Sequence, residues 1–185
     1  MKKYKIIPII LITLYSLLSK AQGGGEEIVL RHIKGVQSVE GNYGFTQLGN
    51  SFELNYAKFV SDKVFILTGG NYEKGVIGRV NFTDYSAHFG TALSLFKIGS
   101  RLYFNIPLAA YIGIETINPY TSPNHEFSYA GDNIFIYGLS GGINPEFFIN
   151  KTTSIIIHAK EYFIMNCPMG SWKYQVMGGL RFIIN

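Results

Sequence analysis

The chain ends in Trp172-Lys173-Tyr174-Gln175-Val176-Met177-Gly178-Gly179-Leu180-Arg181-Phe182-Ile183-Ile184-Asn185. Sorted by parity, Trp172, Tyr174, Val176, Leu180, Phe182 and Ile184 fall on one side, and Lys173, Gln175 and Arg181 on the other. A period of two is the signature of a strand, because successive side chains point to opposite faces. We read this stretch as the closing strand of a β-barrel made to sit in an outer membrane.

The same alternation recurs upstream. Past Gly35 it predicts eight strands, at 38–46, 51–59, 64–72, 84–96, 101–115, 134–145, 153–163 and 172–184. Most match the roughly 9 to 11 residues that a tilted strand needs to cross a membrane, against 5 or 6 in soluble sheets. In the fifth, Leu102, Phe104, Ile106, Leu108, Ala110, Ile112 and Ile114 share a face, opposite Arg101, Tyr103, Asn105, Tyr111 and Glu115. The second sets Phe52, Leu54 and Tyr56 against Glu53 and Asn55, and the fourth sets Phe89, Leu93 and Leu95 against His88 and Ser94. The third, from Val64 to Tyr72, is apolar on both faces and decides nothing.

Periodicity does not say which face points outward, since a soluble barrel and a membrane barrel are inversions of each other. Three features favour the membrane. The polar faces hold Gly, Ala, Ser and Asn with scattered charges, as a narrow packed lumen requires. Tyr43, Phe45, Tyr56, Phe135, Tyr174 and Phe182 lie near strand ends on the apolar face, where interfacial girdles form. With the mature N-terminus in the periplasm, the outer connections would span about 4, 11, 18 and 8 residues and the inner ones about 4, 4 and 7. Long outer loops and short periplasmic turns are the expected asymmetry. The fold class predicted is an all-β, eight-stranded antiparallel outer-membrane barrel of up-and-down topology.

The other end of the chain agrees. Basic Lys2, Lys3 and Lys5, an apolar run from Ile6 to Leu18 and a small-residue exit at Ser19-Lys20-Ala21 form a secretory signal, cleaved after Ala21. The expected organisation is a signal peptide over 1–21, an N-terminal periplasmic segment over 22–37 and a barrel over 38–185. The whole chain has 16 Lys plus Arg against 12 Asp plus Glu, but Lys2, Lys3, Lys5 and Lys20 leave with the signal, so the mature balance is 12 against 12. Neutrality removes the compositional case for a nucleic-acid partner. Charged residues are 15% of the chain, below the roughly 25% of soluble domains. Something other than water covers part of this surface. The single cysteine, Cys167, allows no internal disulfide.

An eight-stranded barrel encloses only enough room for its own side chains. Glu40, Glu53, Arg101, Glu115, Lys160, Lys173 and Arg181, with His88 and His158, would have to pair with one another as a plug, because buried charges are tolerated only when paired. His88 with Ser86, and His158 with Ser154 and Lys160, share faces without forming a triad motif, so polar filling outweighs lipid-modifying catalysis. His32 and His125, in a tail and a loop, lack metal-ligand spacing. Gly141-Gly142 and Gly178-Gly179 precede no helix and no GK[ST], so no phosphate loop is read. No catalytic residue, metal or cofactor is expected. The loop from Thr116 to Asn133, with Tyr120, His125, Phe127 and Tyr129 among Asn, Ser, Thr and Pro, is the candidate recognition surface.

Several residues carry a resemblance. Phe135-Ile136-Tyr137-Gly138, Pro145-Glu146, Ala159-Lys160-Glu161, Gly170-Ser171 and the Gly-x-x-Phe-Ile-Ile-Asn ending at Gly179 to Asn185 are similar to the TraO family of conjugative transposon transfer proteins. The likeness extends more loosely to the signal peptide, Asp84 to Gly90 and Ala109 to Glu115. The family pattern has Arg where this chain has Lys160, and its early mature segment differs from Gln22-Gly23-Gly24-Gly25-Glu26-Glu27. The resemblance implies an outer-membrane structural or docking component of a type IV secretion-like DNA-transfer apparatus in a Gram-negative host. Its implied partners are membrane lipid and other transfer proteins, without direct DNA contact. A general outer-membrane barrel for adhesion or envelope integrity is the alternative, and a lipid-modifying barrel the third reading.

Overall fold

The computed structural model describes residues 32–77, 80–118, 133–167 and 170–184. Within them lie eight strands: β1 (Gln37–Thr46), β2 (Gly49–Phe59), β3 (Val64–Ile77), β4 (Val80–Ile98), β5 (Leu102–Asn118), β6 (Asn133–Phe148), β7 (Thr153–Met165) and β8 (Trp172–Ile184). Each pairs antiparallel with its neighbours in sequence, and β1 pairs with β8, so the sheet closes with no free edge. This is the all-β, up-and-down architecture that the alternation predicts. The signal segment 1–21, residues 22–31 and the loop residues Tyr120, His125, Phe127 and Tyr129 lie outside the described residues.

Burial follows the pleat. Along β8, Lys173, Gln175, Met177 and Arg181 are buried while Trp172, Tyr174, Val176, Leu180, Phe182 and Ile184 are exposed. Leu54 on β2, Phe89 on β4 and Leu108 on β5 likewise expose more than half of their surface. The barrel is inverted relative to a soluble one, with aliphatic and aromatic groups outside and charges within.

The β3–β4 connection corrects the expected eleven-residue outer loop. Glu73 falls in that expected loop and Asp84 at the first position of the expected fourth strand, but they face each other across the β3–β4 ladder and point inward, so both strands run on until only residues 78–79 separate them. At that end of the barrel the connections are therefore 47–48, 78–79, 119–132 and 166–171, and the length asymmetry rests on the last two. The opposite end, where β1 begins and β8 finishes, carries the turns 60–63, 99–101 and 149–152. Gly99 sits there at φ +61°, in the left-handed region that Gly adopts without strain.

The two apolar faces of β3 also find their reason. Phe65 and Leu67 point inward and join Val36, Ala57, Phe59 and Ala92 in an apolar plug near the terminal end. Val64 and Ile66 belong to the outer wall. Strand backbones approach closely at Gly69, where a Cβ would meet the Asn55 amide oxygen, the Leu54 carbonyl and the His88 ring. Replacing Gly69 by Val forces these groups apart, at the point where β2, β3 and β4 meet a polar layer. The expected outcome is a loss of the compact, heat-modifiable species on semi-native gels; unchanged mobility and urea midpoint would contradict this account.

Candidate functional site: a charged lumen closed from within

The interior is layered. At the terminal end, the chain before β1 turns into the mouth, and His32 packs against Phe59 at 4.6 Å and Tyr103 at 4.1 Å between ring centroids. Its Nδ1 lies 2.9 Å from Ser94 Oγ and its Nε2 lies 3.0 Å from Glu146 Oε2. His32 is therefore not part of a loose tail; an aromatic bed and a buried carboxylate hold it. Sequence alone gave no sign of this, because the contact joins positions more than a hundred residues apart.

Arg181 dominates the next layer. From β8, its Nε donates to Glu40 Oε2 at 2.8 Å and its Nη1 to Glu146 Oε2 at 2.7 Å, while its guanidinium carbon lies 5.1 Å from the Phe65 ring centroid. Lys160 on β7 reaches across to β2, placing Nζ 2.6 and 2.8 Å from the two Glu53 oxygens. Asn55 Nδ2 donates to both Glu40 and Glu53, and Ser154 Oγ to Glu146 at 2.6 Å. Charge-assisted contacts of this length are the strong class of hydrogen bond.

Toward the loop end, Lys173 Nζ sits 3.0 Å from Glu115, 3.8 Å from Asp84 and 4.0 Å from Glu73, and 5.2 Å from the Phe82 ring centroid. Tyr111 donates to Asp84, Thr46 to Glu73 at 2.6 Å, and the half-buried Cys167 thiol to Glu115 Oε2 at 3.5 Å. Tyr162 donates to Gln175, and Gln175 Nε2 to Ser51 at 2.7 Å, crossing between β8 and β2. Two spaces retained inside the lumen are each about 10 Å³, roughly room for one water-sized probe.

Of the charges expected in the lumen, Glu40, Glu53, Glu115, Lys160, Lys173 and Arg181 are buried there, together with His88 and His158. Arg101 is not among them. It lies one residue before β5, in the terminal-end turn, half-buried, and its backbone carbonyl accepts from Phe148. The reading by parity extended the strand one residue too far. Glu73, Asp84 and Glu146 are further buried carboxylates of the lumen, outside the expected set. Asp84 shares parity with His88 and Ser94, and Glu146 with Asn144, so the signal was present; both sat at assumed strand ends.

Neither histidine meets its candidate serine. His88 Nε2 is 2.7 Å from Asn55 Oδ1, while Ser86 donates to the Asn71 carbonyl. His158 contacts Asn144 and, at 3.2 Å, Glu40, while Ser154 serves Glu146. Glu40, Glu53 and His158 do bring ligand atoms within 4.8 Å of one another. Arg181 and Lys160 already neutralise the two carboxylates, so a cation would enter only by displacing them.

Neither a protein-family model nor any curated protein matches the sequence. The likeness is to solved structures. The N-terminal β-barrel domain of Pseudomonas aeruginosa OprF superposes with a TM-score of 0.57 at 10% identity, over 82% of this chain and 98% of that domain. Neisserial surface protein A gives 0.56 at 9%, over 80% and 95%. Ail, the attachment invasion locus protein of Yersinia pestis, gives 0.54 at 12%, over 82% and 100%. At such identities the likeness speaks for architecture, and the architecture is that of eight-stranded outer-membrane barrels.

The lumen makes a direct prediction. Arg181→Met strands Glu40 and Glu146 without their cation, and losing one partner of a buried pair costs about 3–5 kcal/mol. Urea unfolding of the refolded barrel should show that loss, whereas Glu161→Gln on the outer wall should stay close to the parent. Equal midpoints for Arg181→Met and the parent would remove Arg181 from the central position given to it.

Proposed function

We propose that this chain is a non-conducting barrel of the Gram-negative outer membrane, exported through its signal peptide, that acts as a structural anchor and docking element. The observation that carries the reading is the inversion of the barrel: aliphatic rows outside, and a lumen bridged by its own ion pairs from wall to wall. An exterior of that kind requires lipid, and an interior of that kind leaves no aqueous path. Function then falls to what the barrel presents at its two ends. Ail is named for attachment and invasion, which makes surface adhesion one form of the general role. Its lipid contact follows from the outer wall; no catalytic step is assigned.

Two measurements test this. Leu108→Arg places a charge on the exposed wall midway along β5, which should cost about 2–4 kcal/mol in a bilayer. A neutral effect there would mean that the wall faces water. In planar bilayers the purified monomer should show no large, stable conductance, and a steady open channel would defeat the closed-lumen reading.

A more specific role rests on the residues similar to the TraO family, notably Phe135-Ile136-Tyr137-Gly138 and the Gly179 to Asn185 ending. In that reading the barrel is an outer-membrane component of a conjugative transfer apparatus, and its loops and N-terminal segment touch other transfer proteins. An in-frame deletion scored for mating frequency decides it. A large drop restored by the gene in trans is expected, and normal transfer would leave the general anchor alone.

A further inference from the structure

The barrel end that holds both termini has a charge pattern that neither the anchor role nor the lumen uses. Among the described residues, its exposed or half-buried charged side chains are Lys34, Lys58, Lys63, Lys97, Arg101 and Lys151 against Asp62 alone, and Asp62 Oδ1 already accepts from the Lys34 backbone N–H. The mature chain is neutral overall, so this end is selectively cationic.

A local irregularity turns part of that rim into a groove. Ser94 pairs with Asn105, but Phe96 pairs with Phe104, leaving Leu95 as an extra residue in β4. The Ser94 N–H, bonded to the Lys63 carbonyl at 2.7 Å, ties the bulge to the β2–β3 turn. The bulge breaks the alternation, so Leu95, Phe96, Lys97 and Ile98 are all exposed in succession. Phe96 stacks on Phe104 of the neighbouring strand at 4.7 Å between centroids. A groove of about 480 Å³ runs here between His32, Ile33 and Tyr103 at the plugged mouth and Asp62, Lys63, Leu95, Phe96 and Lys97 at the rim. Exposed Leu95 and Phe96 give it an apolar side, and on its charged side Lys63 and Lys97 outnumber Asp62.

We propose that this groove holds an anionic phospholipid of the periplasmic leaflet, with the phosphate between Lys63 and Lys97 and an acyl chain along Leu95, Phe96 and Phe104. Two features select a lipid over a protein partner: the groove opens onto the apolar wall, and the cations are spread around the rim on several strands and turns. Basic side chains at a membrane surface attract anionic headgroups, and lysines on the wall reach the phosphates by extending their stems. This site rests on the membrane reading given above and adds a lipid class to it.

The test uses the full chain refolded into bilayers of phosphatidylcholine, then of phosphatidylcholine with increasing phosphatidylglycerol. Insertion is followed by heat-modifiable gel mobility, and retained lipids are counted by native mass spectrometry. Phosphatidylglycerol should be retained preferentially, with the preference falling about fivefold for each of Lys63→Gln and Lys97→Gln. Lys74→Gln at the opposite end should leave it unchanged. The preference should also weaken with salt. Each variant is read separately, so failure of one to fold does not remove the test. Failure to insert into any bilayer overturns the membrane reading itself. Insertion with no preference, or an equal loss from Lys74→Gln, overturns only the lipid site. Displacement of the lipid by inorganic phosphate would mark a free-anion site, and a second copy of the chain in place of lipid would mark a protein interface. Either result overturns the proposal.

Discussion

The ion pairs of Arg181 hold the position on which the rest of the barrel depends. Arg181 lies on the last strand and is the register partner of Glu40 on the first, so the pair spans the seam where the sheet closes. Its second contact, to Glu146, reaches inward to β6, and Glu146 in turn receives His32 and Ser154. One guanidinium therefore links closure of the sheet, filling of the lumen and docking of the segment that precedes β1. The planar fork of Arg suits this better than a point charge, since it serves two carboxylates from fixed directions. A one-residue slip of β8 would carry Arg181 to the outer wall and Phe182 into the lumen.

The same constraint accounts for how little chemistry the interior offers. Eight strands leave a lumen as wide as its own side chains, so each carboxylate must find a donor within it. Lys160, Lys173 and Arg181 meet this need across the bore, which makes the network a set of cross-ties. Groups so engaged are poor nucleophiles, bases or metal ligands, because each new contact would leave a buried partner unsatisfied. Under the docking reading, function falls to the ends of the barrel, one of which carries a cationic rim with a bulged strand.

Much of the fold was legible because membrane strands are long and alternate cleanly. β5 and β8 are legible by parity: Asn105, Tyr111 and Glu115 on the one and Lys173, Gln175 and Arg181 on the other are buried as expected. Errors fell where the signal depends on what faces what. Glu73 lies past the end of the third strand that alternation predicts and Asp84 at the very start of the fourth, and only their pairing across β3 and β4 puts them inside. Arg101 passed for lumen because a turn and a strand end look alike in one dimension. His32 had no local signal, since its partners Ser94 and Glu146 are brought to it only by closure. The Leu95 bulge has no local signal either: it shows only in the β4–β5 register, where Ser94 pairs with Asn105 and Phe96 with Phe104.

By itself, the sequence determined the strand count, the alternation and, through its low charge content, the need for an environment that accepts an apolar exterior. These follow from local periodicity and composition, which do not require knowledge of neighbours. The tertiary structure decided which charge meets which, which histidine is a plug and which a spacer, and where the wall opens into a groove. Those depend on register and closure, because only a sealed barrel brings residues from distant strands within hydrogen-bond reach.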